Sequence, residues 1–275
     1  MNHSLNSVAG KLAIVTGGLS GIGYAIAQQL QASGAQVVIA SRGFSDSKLP
    51  DTQELEQYSK AETTTGACPS TMLGATLDVT DLDSIKIFTA LVHDKLGSME
   101  ILVNAAGVSV SAPIDGHSDS QWESVIDTNL NGAFRMIRAV ISDMKSKGWG
   151  RIVNIGSTAA ETGHIESAAY CASKAGLLGL TRCVALEGAV DGVTCNMVSP
   201  TWVDTPMMRN SMQQLVADND QFQTVEAAMQ AIATENPQKR LIESGEIASL
   251  VSFLCSDSAQ GITMENIQVT GGALW

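Results

Sequence analysis

Tyr170 and Lys174 stand four residues apart in a stretch, 168–189, whose small and apolar residues read as a helix, so the two side chains share one face. A phenol with a pKa of about 10 is a poor acid or base at neutral pH. A cation held beside it stabilises the phenolate and lowers that value. A tyrosine tuned in this way can protonate a carbonyl oxygen as its carbon accepts a hydride, or remove the proton in the reverse direction. Ser157, thirteen residues upstream, ends the strand-like run RIVNIGS (151–157). Its hydroxyl can hydrogen-bond the same oxygen and stabilise developing negative charge. Tyrosines and lysines often share a helix face by chance, so the pair alone decides little.

A glycine-rich turn gives it context. KLAIVTG (11–17) reads as a buried strand and runs into Gly18-Leu19-Ser20-Gly21-Ile22-Gly23, then into a helix through YAIAQQLQASG closed by Gly34. Glycines allow a tight turn and let backbone approach a pyrophosphate, and the amides at the helix start can bind the anion. Gly17, Ser20, Gly21, Ile22 and Gly23 are therefore candidate dinucleotide contacts; the alternative is a turn with no ligand. The second strand, AQVVIAS (35–41), ends in Ser41 and Arg42. An acid there would bind the adenosine ribose hydroxyls and repel a 2′-phosphate, whereas a hydroxyl followed by a guanidinium suits a phosphate monoester. NADP(H) is the expected cofactor, with NAD(H) the alternative if Arg42 is only a solvated loop residue or if Asp46 folds back over it.

The elements that must position these residues alternate along the chain. Further strands are expected at ATLDV (75–79), EILVNAAG (100–107), 151–157, GVTCNMVSP (192–200) and a last NIQVTGG. Helices are expected near Asp51–Ala61, at Asp81–Leu96, about 119–147, 168–189, loosely over 205–237, and near 245–255. Near-continuous apolar strands alternating with helices predict an α/β fold: a single doubly wound Rossmann domain over 1–275, with a seven-stranded parallel sheet flanked by helices on both faces. Sites in such sheets lie beyond the carboxyl ends of the strands. The suggestive residues all stand at those ends.

The spacing Gly-x3-Gly-x-Gly resembles the TGxxxGIG signature of the short-chain dehydrogenase/reductase family, and the resemblance covers essentially the whole chain. It includes NAAG at 104–107, the Ser157–Tyr170–Lys174 set, and a proline after the sixth strand followed by Val203-Asp204-Thr205-Pro206. GWGRIVNIGST and DGVTCNMVSPTWVDTPM are similar to ketoreductases and hydroxybutyrate dehydrogenases of that family. The resemblance implies that Lys174 also binds the nicotinamide ribose, and that Asn129, in DTNLNGAF, holds a water linking the lysine to solvent. It implies that Asp78 bonds the adenine edge and Val79 adds a backbone contact, although Asp78 could equally be a helix N-terminal acid. It assigns Asn104, Ala106 and Gly107, and also Pro200, Val203 and Thr205, to the cofactor. Thr201 stands where the family usually has glycine, which puts those last contacts in doubt. A homotetramer, or a homodimer, is implied, paired through 119–147 and the helix after Tyr170 and through the C-terminal strand ending at Trp275.

Bulk properties narrow the partners. The net charge of −12 argues against nucleic acid or an anionic membrane as the main partner, leaving a small-molecule carbonyl or alcohol substrate. No run is long and apolar enough to span a bilayer, and the N-terminus lacks a secretory pattern, so a cytoplasmic protein is expected. Five scattered cysteines, Cys68, Cys171, Cys183, Cys195 and Cys255, suggest reduced thiols, and no metal-ligand spacing is found. Cys171 reads as packing, and His164 and Glu166 as pocket lining or exposed polar residues. The segment 205–237 is expected to be a lid. Its Met207, Met208, Met212, Phe222 and Met229, with Trp202 at the base, suit a medium-sized or hydrophobic substrate, or else pack a helix pair. Arg209 is its one candidate for an anionic substrate group. The rival of a different class is a nucleotide-binding protein without redox turnover.

Overall fold

The computed structural model describes residues 8–44, 55–58, 72–218 and 221–273. Asp46, Cys68 and Trp275 lie outside them. One sheet carries the whole arrangement. β1 (Leu12–Thr16), β2 (Gln36–Ser41), β4 (Met72–Thr76), β5 (Ile101–Asn104), β6 (Gly150–Ile155), β7 (Val193–Pro200) and β8 (Asn266–Val269) pair in parallel, in the order β4-β2-β1-β5-β6-β7-β8. These are the seven expected parallel strands. An eighth, β3 (Glu56–Tyr58), adds antiparallel to the outer edge of β4.

Period-two alternation fills both faces. In β1, Ala13 and Val15 join one core with Ile26 and Leu30 of α1 (Gly21–Ala32) and Ile247 and Val251 of α8 (Ser244–Leu254). Leu12 and Ile14 join the other, with Phe88 of α2 (Leu82–Leu96), Met136 and Val140 of α4 (Gly132–Lys147), and Val184 of α5 (Ala168–Gly188). Every residue of β1, β5, β6 and β7 is buried, which explains why these strands read as near-continuous apolar runs.

Three expectations need correction. Among the described residues the helix expected near Asp51–Ala61 is not found: Glu56–Tyr58 is β3, Leu55 precedes it, and the rest of that stretch lies outside the described residues. A free edge on β4 recruited a polar segment that has no apolar alternation to announce it. The third predicted strand, 75–79, is shifted, since β4 spans Met72–Thr76 and Leu77 and Val79 lie beyond its end. The helix expected over 119–147 is interrupted. α3 (Asp119–Ile126) gives way to a π-helical turn, Asp127–Asn131, before α4 begins. Such wide turns occur mostly as single insertions at functional sites.

The direction of winding reverses between β1 and β5, because β2 lies to one side of β1 and β6 to the other side of β5. The crevice beyond the ends of β1 and β5 is where such sheets bind ligands. The loops after β5, β6 and β7 lie at those ends; α6 (Pro206–Asp218) starts against Gly21, and α7 (Val225–Glu235) packs on α6.

Candidate active site

Gly17 turns the chain out of β1 at φ +66°, with its amide bonded to the Ala40 carbonyl at 2.8 Å. A Cβ there would meet the Ala105 carbonyl and the Ala106 backbone at 2.9 Å, so the turn packs directly on the NAAG segment. Thr16 Oγ1 fixes that contact by accepting from the Ala105 and Ala106 amides, each at 3.2 Å. A Cβ on Gly23 would strike the Gly17 carbonyl, so α1 sits as close to the turn as backbone allows. Ser20 precedes α1 in an extended conformation without capping it, and the first turn carries no acid. The helix therefore presents N–H groups and its positive end toward the crevice. Glycine-only clearance and an acid-free helix start fit a dinucleotide pyrophosphate.

Ser41 closes β2 and Arg42 opens a short turn, Arg42–Phe44, with Arg42 and Gly43 exposed. The following Gly43 packs against Leu19 of the glycine turn, which places Ser41 and Arg42 beside it. Asp78 is not the cap of α2. Asp81 does that work, accepting from the Asp83 amide, while Asp78 Oδ1 holds the Thr80 amide at 2.9 Å and the Thr80 hydroxyl at 2.7 Å. The Val79 carbonyl accepts from Arg135 at 3.3 Å, and its side chain fills the space left by Gly132.

Ser157 follows β6 directly, and its hydroxyl accepts from the Ala159 amide. α5 then delivers Tyr170 and Lys174 to the same place. Lys174 is 5% exposed; its Nζ donates to the Ile155 carbonyl at 2.8 Å and lies 5.5 Å from the Tyr170 ring centre. Asn129, on the π turn and 2% exposed, accepts from the Val108 amide at 2.8 Å and donates to the Val108 carbonyl and to Ser173 Oγ. Ser173 in turn donates to the Tyr170 carbonyl at 2.7 Å. The π turn thus ties the loop after β5 to the helix that carries the tyrosine. A Cβ on Gly107 would lie 3.5 Å from Asn129 Oδ1 and 3.9 Å from Lys174 Nζ. Asn104 donates to Asn154 at 2.8 Å, and Asn154 to Thr181 of α5 at 2.9 Å, a second tie beneath the first.

Burial raises the Tyr170 pKa; a hydrogen bond with Ser157 pulls it back, and Cys171 adds to the rise. Lys174 is desolvated itself, so its own pKa falls to about 8, and its Nζ donates to the Ile155 carbonyl.

Around this group, Pro200 ends β7 and the Thr201 amide bonds to Val269. Val203 is buried in the core and bridges to Ile242, and Thr205 lays its methyl on Gly21 at 3.3 Å from an added Cβ. Those contacts bring the segment after β7 back over the glycine turn despite Thr201. His164 Nε2 lies 3.3 Å from Thr162 Oγ1, and Glu166 accepts from Ser111. In the expected lid, Met208, Met212 and Met229 are buried between α6 and α7 with Phe222 against them, so these side chains pack a helix pair; Met207 and Trp202 are exposed. Arg209, the candidate for an anionic substrate group, is engaged by Asp204 through two bonds of 2.7 Å. Among the described residues no group of three His, Cys, Asp or Glu could hold a metal.

Thr16, Asn154 and Ser173 escaped the sequence reading. Each carried a faint signal: a polar residue inside or at the end of an apolar strand, or between two candidates on one helix face.

Comparison with known proteins agrees with this geometry. A family model described as Enoyl-(Acyl carrier protein) reductase matches residues 17–273. The chain is 36% identical over 267 residues to D-beta-hydroxybutyrate dehydrogenase of Rhizobium meliloti, covering 95% of this chain and 98% of that protein. It is 36% identical over 263 residues to 3-oxoacyl-(acyl-carrier-protein) reductase of Escherichia coli, covering 96% and 97%. Among solved structures, aldohexose dehydrogenase of Thermoplasma acidophilum superposes with a TM-score of 0.82 at 30% identity, covering 98% of this chain and 95% of that one. A variant of actinorhodin polyketide ketoreductase with NADPH gives 0.82 at 30%, covering 98% of each.

Proposed function

Since the chain belongs to the short-chain dehydrogenase/reductase family and is an oxidoreductase of that family, we propose that it interconverts a ketone and a secondary alcohol with NADP(H), using Tyr170 as the proton-transfer group. The observation that carries this reading is the convergence of Ser157, Tyr170 and Lys174 at the ends of β6 and α5, beside the glycine turn. A bound nicotinamide supplies or accepts the hydride. In the reductive direction the Tyr170 Oη–H bond breaks and the proton passes to the substrate oxygen. Ser157 holds that oxygen and stabilises the charge that gathers on it. Lys174 stabilises the phenolate left behind and binds the nicotinamide ribose, and Asn129 keeps the loop after β5 against α5.

The cofactor contacts belong to Gly17, Ser20, Gly21, Ile22 and Gly23 for the pyrophosphate, Asp78 and Val79 for the adenine, and Asn104, Ala106, Gly107, Pro200, Val203 and Thr205 along the nicotinamide half. Ser41 and the solvent-facing guanidinium of Arg42 support a 2′-phosphate, hence NADP(H) over NAD(H). The segment 205–237 acts as the lid. The functional unit is a homotetramer or homodimer in the cytoplasm. Exposed Phe134 of α4 and Leu186 of α5 support pairing through those helices, and the free thiols of Cys171, Cys183, Cys195 and Cys255 suit a reducing compartment.

A screen of NADPH against NADH oxidation over β-ketoesters, cyclic ketones and aryl ketones tests the reading. NADPH should support faster turnover, and Arg42→Ala should weaken NADPH by about tenfold while sparing NADH. Equal NADPH affinity in Arg42→Ala would leave NAD(H) as the cofactor. Binding of cofactor with no reduction of any carbonyl would mark a non-redox nucleotide-binding protein.

A further inference from the structure

The substrate side of the cleft has a one-sided charge. The loops that wall it, 105–118 after β5, 156–168 after β6 and 201–206 after β7, contain Asp115, Glu161, Glu166 and Asp204 and no lysine or arginine. Cations stand elsewhere: Lys174 at the base of the site donates to the Ile155 carbonyl at 2.8 Å, Arg209 comes from the lid, and Lys239 and Arg240 follow it, each bonded to a neighbour. Arg209 is held by Asp204 at 2.7 Å, Lys239 donates to the Thr234 carbonyl at 2.8 Å, and Arg240 clasps Glu246 at 2.6 and 2.8 Å. The carboxylates of the β6 loop have no cationic partner among the contacts that hold them. Glu161 accepts from the neutral amides of Asn266 and Gln268, and Glu166 from the Ser111 hydroxyl at 2.9 Å.

Glu166 is set apart from these by its backbone. It lies four residues before Tyr170, at φ +59°, a left-handed conformation that a residue with a Cβ rarely adopts. Its own carbonyl accepts from the Ala112 amide at 3.0 Å while its side chain accepts from Ser111. Both bonds join the loop after β5 to the loop between Ser157 and Tyr170. The backbone bond seats Glu166 where the two loops meet, and the Ser111 bond holds its carboxylate there.

We propose that this cleft takes an uncharged carbonyl or alcohol, and that Glu166 is the specificity-determining residue that turns carboxylate-bearing substrates away. The proposal rests on the ketone–alcohol reading above and adds the substrate's charge to it. A carboxylate brought to the mouth would meet like charge and no lysine or arginine on these loops, a penalty that salt screens. A neutral ester of the same shape would not.

The test uses matched pairs on the full-length enzyme with its preferred nicotinamide: acetoacetate with methyl acetoacetate, levulinate with methyl levulinate, and 4-acetylbenzoate with methyl 4-acetylbenzoate. In every pair that turns over, kcat/KM for the ester should exceed that for the acid by at least about tenfold at low salt, and the gap should narrow as ionic strength rises. Glu166→Lys should shift the ester-to-acid ratio toward the acid by a further factor of about ten, and Glu166→Gln by less. A ratio measured within one preparation cancels differences in the folded fraction. Acids reduced as well as their esters, or a ratio unmoved by Glu166→Lys, would overturn the proposal. Reduction of no carbonyl at all would instead overturn the ketone–alcohol reading on which it rests.

Discussion

Lys174 is the residue whose chemistry is most exposed to measurement. It sits buried with a pKa near 8 instead of its ordinary 10.5, because burial penalises the ammonium. A depressed lysine pKa means that the unfolded chain binds the proton more tightly. The penalty on the native state is therefore complete below pH 8 and is relieved as pH climbs from 8 to 10.5. Subtracting the stability of Lys174→Met from that of the wild type isolates this contribution. The difference should rise toward the wild type by on the order of 3 kcal/mol across that interval. A flat difference in pH-dependent denaturation would show that Lys174 is not desolvated in the native state. Tyr170 runs the other way: burial raises it, so Ser157→Ala, which removes the opposing hydrogen bond, should move the basic limb of the kcat pH profile further up. A basic limb left in place would mean that the Ser157–Tyr170 bond does not tune the phenol.

At the level of elements, much was legible because the physics is local. The β1–turn–α1 unit shows itself in four apolar residues, then Thr16 and glycines, and the glycines have no substitutes. Gly17→Ala would place a Cβ at φ +66° against Ala105 and Ala106, at a cost of about 1–3 kcal/mol, and should weaken dinucleotide binding measured by titration. Unchanged stability and affinity would show that the turn tolerates displacement. Other elements depend on partners distant in sequence. β3 exists because β4 offers an edge, and nothing in Glu56-Gln57-Tyr58 announces it. The π turn at Asp127–Asn131 has an ordinary helical sequence; the widening is set by Asn129 reaching Val108 and Ser173. The lid was legible as helix but not as packing, since methionines at helical spacing look alike whether they face a substrate or each other. Because Met212 and Met229 face each other's helices, Met212→Ala should raise hydrogen exchange across α6 and α7 while leaving the ratio of activities on different ketones unchanged. A changed ratio would return Met212 to the substrate wall.

At the level of the whole molecule, the strand order reverses between β1 and β5, and the candidate residues come to the carboxyl ends from eight separate segments. The serine, the tyrosine–lysine pair and the asparagine come from β6, α5 and the π turn, and no two of those elements are joined by fewer than a dozen residues. That separation is why the four residues were readable as a set only through their spacing, and why the ties between them, Asn129–Ser173 and Asn104–Asn154–Thr181, were not. Assembly belongs to this scale too. Light scattering at micromolar concentration should give a multiple of the chain mass, and charge introduced by Phe134→Glu with Leu186→Glu should lower it; a monomeric wild type would contradict pairing through α4 and α5.

The central claim is that Tyr170 moves the proton. Steady-state reduction of a ketone by Tyr170→Phe measures it most directly, with cofactor affinity determined by fluorescence titration on the same protein. Removing one hydroxyl should lower kcat by about 10²- to 10⁴-fold while cofactor affinity stays within about threefold. A variant that binds cofactor normally and keeps most of its turnover would contradict the mechanism.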